Sequence, residues 1–300
     1  MIRSHVMLAA LALAGAAPAA LAQGFNGGLP AGWTCIGNCG TLGADGDITL
    51  SGLPGSTAYG YVSTFNGADN GKALSPFSAG TPPGLSGGGI GEETNGSRLR
   101  SASFAASAGD SLDFRFNYIS SDGTPAFIEY AWALVRDASD LSVEALLFTG
   151  RTNPSGPPVP AFGLPATQSV VNGGAAVVMQ GTAGPVWSQL GGTSGSCYGS
   201  GCGFTGWLTS QHTFARSGSF VLEFGAINWG DEAYDNGLAF DGITVAGTPI
   251  GELPPTLPPT VPPDGTPPVV PIPEPSTYAL MLAGLAGGSW WVRRSRREDR

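Results

Sequence analysis

The chain has 300 residues, of which 12% are charged, with a net charge of −9 and a mean hydropathy of +0.09. The acidic balance argues against nucleic-acid and anionic-membrane partners for the folded part. The length accommodates one large domain with appended segments.

At the N-terminus, Arg3 and His5 precede an apolar run from Val6 to Ala14, and Ala20-Leu21-Ala22 is a small-x-small site. This pattern predicts a secretory signal peptide over residues 1–22, cut between Ala22 and Gln23. It implies passage through the Sec translocon and cleavage by signal peptidase. The body that follows, residues 23–248, carries 7 basic and 17 acidic residues. Lys72 is its one lysine and His212 its one histidine.

Four cysteines form two tight sequence pairs in glycine-rich stretches, Cys35-Ile-Gly-Asn-Cys39 and Cys197-Tyr-Gly-Ser-Gly-Cys202. An even count in an exported chain predicts disulfides. Three pairings are open, and proximity favours Cys35–Cys39 with Cys197–Cys202. The spacings are wider than the Cys-x-x-Cys of zinc and redox sites.

Period-2 alternation predicts strands. Over Asp110 to Tyr118, Leu112, Phe114, Phe116 and Tyr118 share one face; over Ser219 to Ile227, Phe220, Leu222, Phe224 and Ala226 do. Ile128, Tyr130, Trp132 and Leu134 define a third. Further strands are expected at 47–51, 59–64, 98–104, 143–149, 175–179 and 212–216. Near residue 240 the apolar parity switches, from Leu238 and Phe240 to Ile243 and Val245, which predicts a β-bulge at Asp241-Gly242. The body shows no sustained 3.6-residue period. The expected fold is an all-β antiparallel sandwich, jelly-roll-like. Two loops interrupt it: Ala79 to Gly91, rich in Gly, Pro and Ser, and Thr152 to Pro165, whose five prolines bar it from a central strand.

Gly84-Leu85-Ser86-Gly87-Gly88 fits Gly-x-Ser-x-Gly but lacks the strand–turn–helix setting of a nucleophile elbow. Gly201 to Gly206 fits Gly-x-Gly-x-x-Gly without a βαβ unit and reads as a disulfide-stapled turn. Glu129 and Glu223, each on a strand, are the candidate carboxylate pair for a glycan-active enzyme; the outward parity of Glu223 suggests simple solvation. The expectation is that the chain is not an enzyme. Calcium is the candidate cofactor, since it takes oxygens from carboxylates, amides and carbonyls. Its candidate ligands are Asp231, Asp235, Asn236 and Asp241 near the bulge, with Asp122 and Glu129 as a second group and Glu92-Glu93-Thr94-Asn95 as a third, although Asp, Asn and Gly also populate ordinary turns. Trp33, Trp207 and Trp229, in loop-rich sequence, are candidate stacking surfaces for sugar.

After the body, 12 of the 27 residues from Pro249 to Pro275 are proline. Residues 249–272 read as a semi-rigid polyproline stalk. Residues 273–297 combine Pro273-Glu274-Pro275, an uncharged apolar run from Ser276 to Val292 and four arginines beginning at Arg293. Seventeen helical residues at about 1.5 Å each span roughly 25 Å, enough for a short transmembrane helix. Trp290 and Trp291 fit the headgroup level, and the arginines place the C-terminus in the cytoplasm and the body outside it.

This order resembles the PEP-CTERM sorting signal, and Pro273, Glu274 and Pro275 match its motif in full. The resemblance implies processing by exosortase, a membrane-embedded cysteine transpeptidase, in a Gram-negative bacterium that makes exopolysaccharide. Gly32-Trp33-Thr34-Cys35, Glu129-Tyr130-Ala131-Trp132, Leu147 to Thr152, Cys197 to Trp207 and Asp235 to Gly242 resemble an uncharacterised subfamily of such surface proteins. The expected role is therefore an exported, transiently inner-membrane-anchored protein with a periplasmic body, released to the cell surface or exopolysaccharide matrix. A structural or adhesive function is expected there; a calcium-stabilised, lectin-like carbohydrate-binding module is the alternative.

Overall fold

The computed structural model describes residues 24–77, 91–124, 126–127, 129–153, 157–161, 163–172, 177–178 and 183–250. The strands among them are β1 (Thr34–Ile36), β2 (Asn38–Leu42), β3 (Tyr59–Ser63), β4 (Glu93–Arg100), β5 (Phe104–Ala106), β6 (Ser111–Ser120), β7 (Asp122–Gly123), β8 (Tyr130–Asp137), β9 (Val143–Gly150), β10 (Val170–Asn172), β11 (Val177–Val178), β12 (Tyr198–Gly199), β13 (Gly203–Phe204), β14 (Leu208–Thr213), β15 (Gly218–Trp229), β16 (Asn236–Val245) and β17 (Thr248–Pro249). A single helical turn, α1 (Gly71–Leu74), and a 3-10 segment at Ser188–Thr193 complete the set.

Two antiparallel sheets face each other. One has the order β1-β4-β15-β8-β9, with β5 also on β15; the other runs β10-β14-β6-β16-β3-β2, with β13 on β6, β11 on β13 and β17 on β16. The alternation in β6 and β15 is what pairs them across the core. Leu112, Phe114, Phe116 and Tyr118 from one sheet meet Leu222, Phe224 and Ala226 from the other, all buried. Two ring stacks bridge the sheets: Phe116 on Phe148 and Phe224 on Phe240, each with centroids 3.8 Å apart and planes within 6° of parallel. Each buried Phe contributes about 1.5–3 kcal/mol through removal from water.

The outer faces are covered as well. On the first sheet Tyr130, Trp132, Leu134, Ile227 and Trp229 form a second cluster, closed by Leu74 of α1. On the second sheet Ile48, Tyr59, Ile119, Trp187 and Leu190 form a third. Ala131, Ala133 and Val135 point inward instead, so the aromatic parity of β8 is its outer one. Covering on both faces removes the expected outward solvation of Glu223, which is fully buried.

The bulge is where the parity switch places it. The β16–β6 register shifts between Asp241 and Thr244, and Gly242 has φ +65°, a conformation that favours glycine. Four boundaries differ from expectation. The strand expected at 212–216 lies earlier, as β14 at Leu208–Thr213. Residues 47–51 hold no strand, only a single bridge from Ile48 to Asp45; Ile48 is buried in the third cluster with Leu50 packed against it. The segment 98–104 divides between β4 and β5 at Ser101, whose N–H still donates to Leu222 O at 2.8 Å while Leu222 N–H turns to Ser101 Oγ at 2.9 Å in place of a backbone carbonyl. The body runs past residue 248: β17 takes in Pro249, and Ile250 is buried against the main core. The signal peptide, the Gly84–Gly88 motif, the stalk beyond residue 250, the sorting motif and the apolar run 276–292 lie outside the described residues. Among the described residues no helix is long and apolar enough to cross a membrane.

Candidate functional site

At one end of the sandwich, where β3, β6 and β15 finish and β4, β8 and β16 begin, polar side chains sit in a buried cluster. Antiparallel pairing brings these strand ends together: Asn236 opposes Ser120, and Ile227 opposes Tyr130. Glu129, Asp122 and Asp235 are 3%, 3% and 6% exposed, and Asn228 and Asn236 are fully buried. Asp231 stands exposed beside them, near enough for its charge to act on Asp122 and Glu129.

The hydrogen bonds hold the cluster without saturating it. Asp235 Oδ1 accepts from Thr64 Oγ1 at 2.9 Å, and Asp122 Oδ1 accepts from Thr124 N–H at 2.7 Å. Asn236 Nδ2 donates to Ile227 O at 2.9 Å and to Asn228 Oδ1 at 3.2 Å. Glu129 is poorly served: Ser120 Oγ lies 3.4 Å from its Oε2 and also donates to Asp122 O at 3.0 Å. Glu129 Oε1, Asn236 Oδ1 and Asn95 Oδ1 are buried with no hydrogen-bond partner. All three are acceptor oxygens, while Asn228 Nδ2, a buried donor of the same cluster, also lacks a partner; buried polar atoms without a partner are uncommon.

Burial disfavours charge here. It pushes Asp122 up to about 6, with Thr124 opposing and Asp231 adding to the rise. It pushes Asp235 up to about 6, with Thr64 and Asn228 opposing. Glu129 is driven well above the carboxylate range by burial, then by the charges of Asp122, Asp235 and Asp231. Arg151, 4% exposed, acts electrostatically on Asp122 and Tyr118. One arginine among four carboxyls leaves the site acidic, able to take up protons or a cation.

The Cys197–Cys202 disulfide staples the loop roofing this end. Within it β12 lies parallel on β7, Tyr198 opposite Asp122. Tyr198 N–H donates to Ser121 O at 2.9 Å, and Ser121 N–H donates to Asp235 O at 3.0 Å. A Cβ on Gly123 would collide with the Gly201 and Cys202 backbone, so the approach of the two segments requires glycine there. Tyr198 is 43% exposed and forms an aromatic group with Tyr234, 5.2 Å away, and Phe127, 5.6 Å away.

Five of the six ligands expected in the first two calcium groups, Asp122, Glu129, Asp231, Asp235 and Asn236, therefore share one neighbourhood. Asp241 does not. It lies five residues along β16 from Asn236, about 16 Å of extended chain. Its carboxylate is occupied there by the hydroxyls of Ser51 and Ser56 and by Gly242 N–H at 2.8 Å. Thr64, Asn228 and Arg151 belong to the site without a sequence signal, because strand pairing alone carries them there; Asn95, from the third expected calcium group, joins them on β4.

Each of the expected sugar-stacking tryptophans makes packing contacts, and only Trp229 is fully enclosed by them. Trp229 is 4% exposed inside the second cluster. Trp33 packs edge-on against Phe25 and Trp207 against Tyr59, both half-buried. Loop tryptophans cap the cores here because those cores extend beyond the sheets. Glu223 is not a partner for Glu129: Arg100 and Arg136 occupy its carboxylate. His212 lies on β14 with Nδ1 3.1 Å from Gln168 O. Both expected disulfides are present, Cys35–Cys39 and Cys197–Cys202.

Fold and disulfides together define a disulfide-stapled antiparallel β-sandwich. Residues 271–297 match the model of the PEP-CTERM protein-sorting motif, so the chain carries that motif at its C-terminal end. No curated protein matches the chain. Among solved structures, it is similar to the K1 and K3 cleaved adhesin domains of Lys-gingipain from Porphyromonas gingivalis W83. Each aligns with 75% of this chain, over 96% and 97% of its own length, at 13% identity and a TM-score of 0.32.

Proposed function

We propose that this protein is exported, held briefly in the inner membrane by its C-terminal segment, processed there by exosortase, and passed to the cell surface or exopolysaccharide matrix in a structural or adhesive role. The sorting motif over residues 271–297 carries the reading. Two disulfides within the folded body support it, since such bonds persist in oxidising compartments. The signal peptide over residues 1–22 and the helix over 276–292 remain part of the proposal, the first handled by the Sec translocon and signal peptidase. The test is fractionation of cells producing the wild type or a variant with Pro273, Glu274 and Pro275 changed to Ala. The wild type should reach the surface or medium and the variant should stay with the inner membrane; equal distribution would refute sorting.

A second reading, a calcium-stabilised carbohydrate-binding module, draws support from exposed Tyr198 and the half-buried rings of Tyr234 and Phe127 against it, beside the acidic cluster. Rings of this kind stack on sugar faces, and the neighbouring carboxylates would accept hydroxyl hydrogens. A glycan array probed with and without calcium tests it, and absence of binding in both conditions removes it.

A further inference from the structure

We infer that the cluster of Glu129, Asp122, Asp235 and Asn236 is a binding site for one calcium ion, independent of whether the protein recognises sugar. The first observation is the assembly of carboxyl groups from three separate segments at one end of the sandwich. The second is independent of charge: Glu129 Oε1 and Asn236 Oδ1, on residues 3% and 0% exposed, have no hydrogen-bond partner. An unsatisfied buried acceptor costs about 1–3 kcal/mol, and Glu129 lies among the charges of Asp122, Asp235 and Asp231. Calcium coordination satisfies several such oxygens at once.

The donor set selects the ion. It is oxygen only, mixing carboxylates with amide oxygens. No free cysteine exists and His212 is on β14, so soft and borderline metals have no preferred ligand here. Calcium accepts six to eight oxygens in variable geometry, whereas magnesium requires a near-ideal octahedron. Among the described residues no three His, Cys, Asp or Glu side chains form a cage by themselves. The site thus depends on amide oxygens as much as on carboxylates, and on side-chain rotation as the ion enters. Asp231, exposed at the edge, supplies negative charge on the approach.

The experiment uses the full chain in detergent, freed of metal with a chelator and then titrated with calcium chloride by calorimetry, with melting temperature recorded in parallel. Extracellular sites bind calcium with dissociation constants on the order of 0.1–1 mM. A single saturable site in that range or tighter, with a calcium-dependent rise in melting temperature, is the expected result. Glu129→Gln and Asp122→Asn should each weaken binding at least tenfold, while Asp140→Asn, in the exposed turn between β8 and β9, should leave it unchanged. Wild-type protein with neither heat nor a melting shift up to about 10 mM calcium overturns the inference. So does wild-type affinity in both cluster variants. Should either variant fail to fold, the other and the wild-type titration still decide.

Discussion

Arg136 grips Glu223 with two nitrogens, Nε at 2.7 Å from Oε2 and Nη2 at 3.0 Å from Oε1. Arg100 Nε adds a bond to Oε2 at 2.6 Å, and Trp132 Nε1 one to Oε1 at 3.3 Å. A fully buried carboxylate in the middle of β15 is thereby held ionised by partners on the two adjacent strands, β4 and β8. Burial raises its pKa, but the hydrogen bonds and charges of Arg136 and Arg100 outweigh this and leave it below the usual carboxylate range.

Glu223→Gln should therefore destabilise the domain by about 3 kcal/mol, because it strands two arginines near the outer face of the sheet. Urea unfolding at neutral pH measures this, and a loss under about 1 kcal/mol would contradict it. The same contact predicts a pH dependence. A depressed folded pKa means that the stabilisation is present above the unfolded value, 4.5, and disappears as pH falls through the lower folded one. The gap between wild type and Glu223→Gln should be constant from pH 7 down to about 5 and shrink below it.

Gly225 is paired with Trp132 across β15 and β8, and the indole lies over the space where a side chain would be. Any Cβ at 225 would overlap the six-membered ring of Trp132. Gly225→Ala should cost about 3 kcal/mol, at the upper end of overpacking penalties. An unchanged denaturation midpoint would show that Trp132 can move aside, contrary to its full burial.

The two disulfides close loops of four and five residues. The chain-entropy relation gives about 2 kcal/mol for staples this short. Denatured, unreduced protein should show no thiol with Ellman's reagent, and four thiols would refute the pairing. Replacing Cys197 and Cys202 by Ser should lower stability by that amount and, by freeing the β12 roof over Asp122, weaken the calcium response. Replacing Cys35 and Cys39 should lower stability alone.

The sequence discloses parity well and cover poorly. Leu112 to Tyr118 and Phe220 to Ala226 alternate strongly enough to place two central strands and their inner faces, and the parity switch after Phe240 locates the bulge. Alternation cannot show whether the other face meets water. Glu223 has outward parity, yet α1 and the rings of Tyr130, Trp132 and Trp229 enclose that side of the sheet. The acidic site was half legible for the same reason. Asp122, Glu129, Asp231 and Asp235 stand out as turn acids, but Thr64 reaches Asp235 across 171 residues of chain, and Asn95 arrives on β4 through the pairing of β4 with β15. Asp241 looked like their neighbour because it is near in sequence, and an extended strand carries it away.

The end of the body has a mechanical consequence. Ile250 is sunk in the main core directly after the two paired residues of β17. Tension drawn along the C-terminal segment is thus received first by a buried side chain and a short hairpin that share one sheet with β6 and β16. The hold there rests on Ile250, whose N–H also donates to Ile243 O at 3.3 Å, more than on exposed Thr248 and half-buried Pro249 beside it.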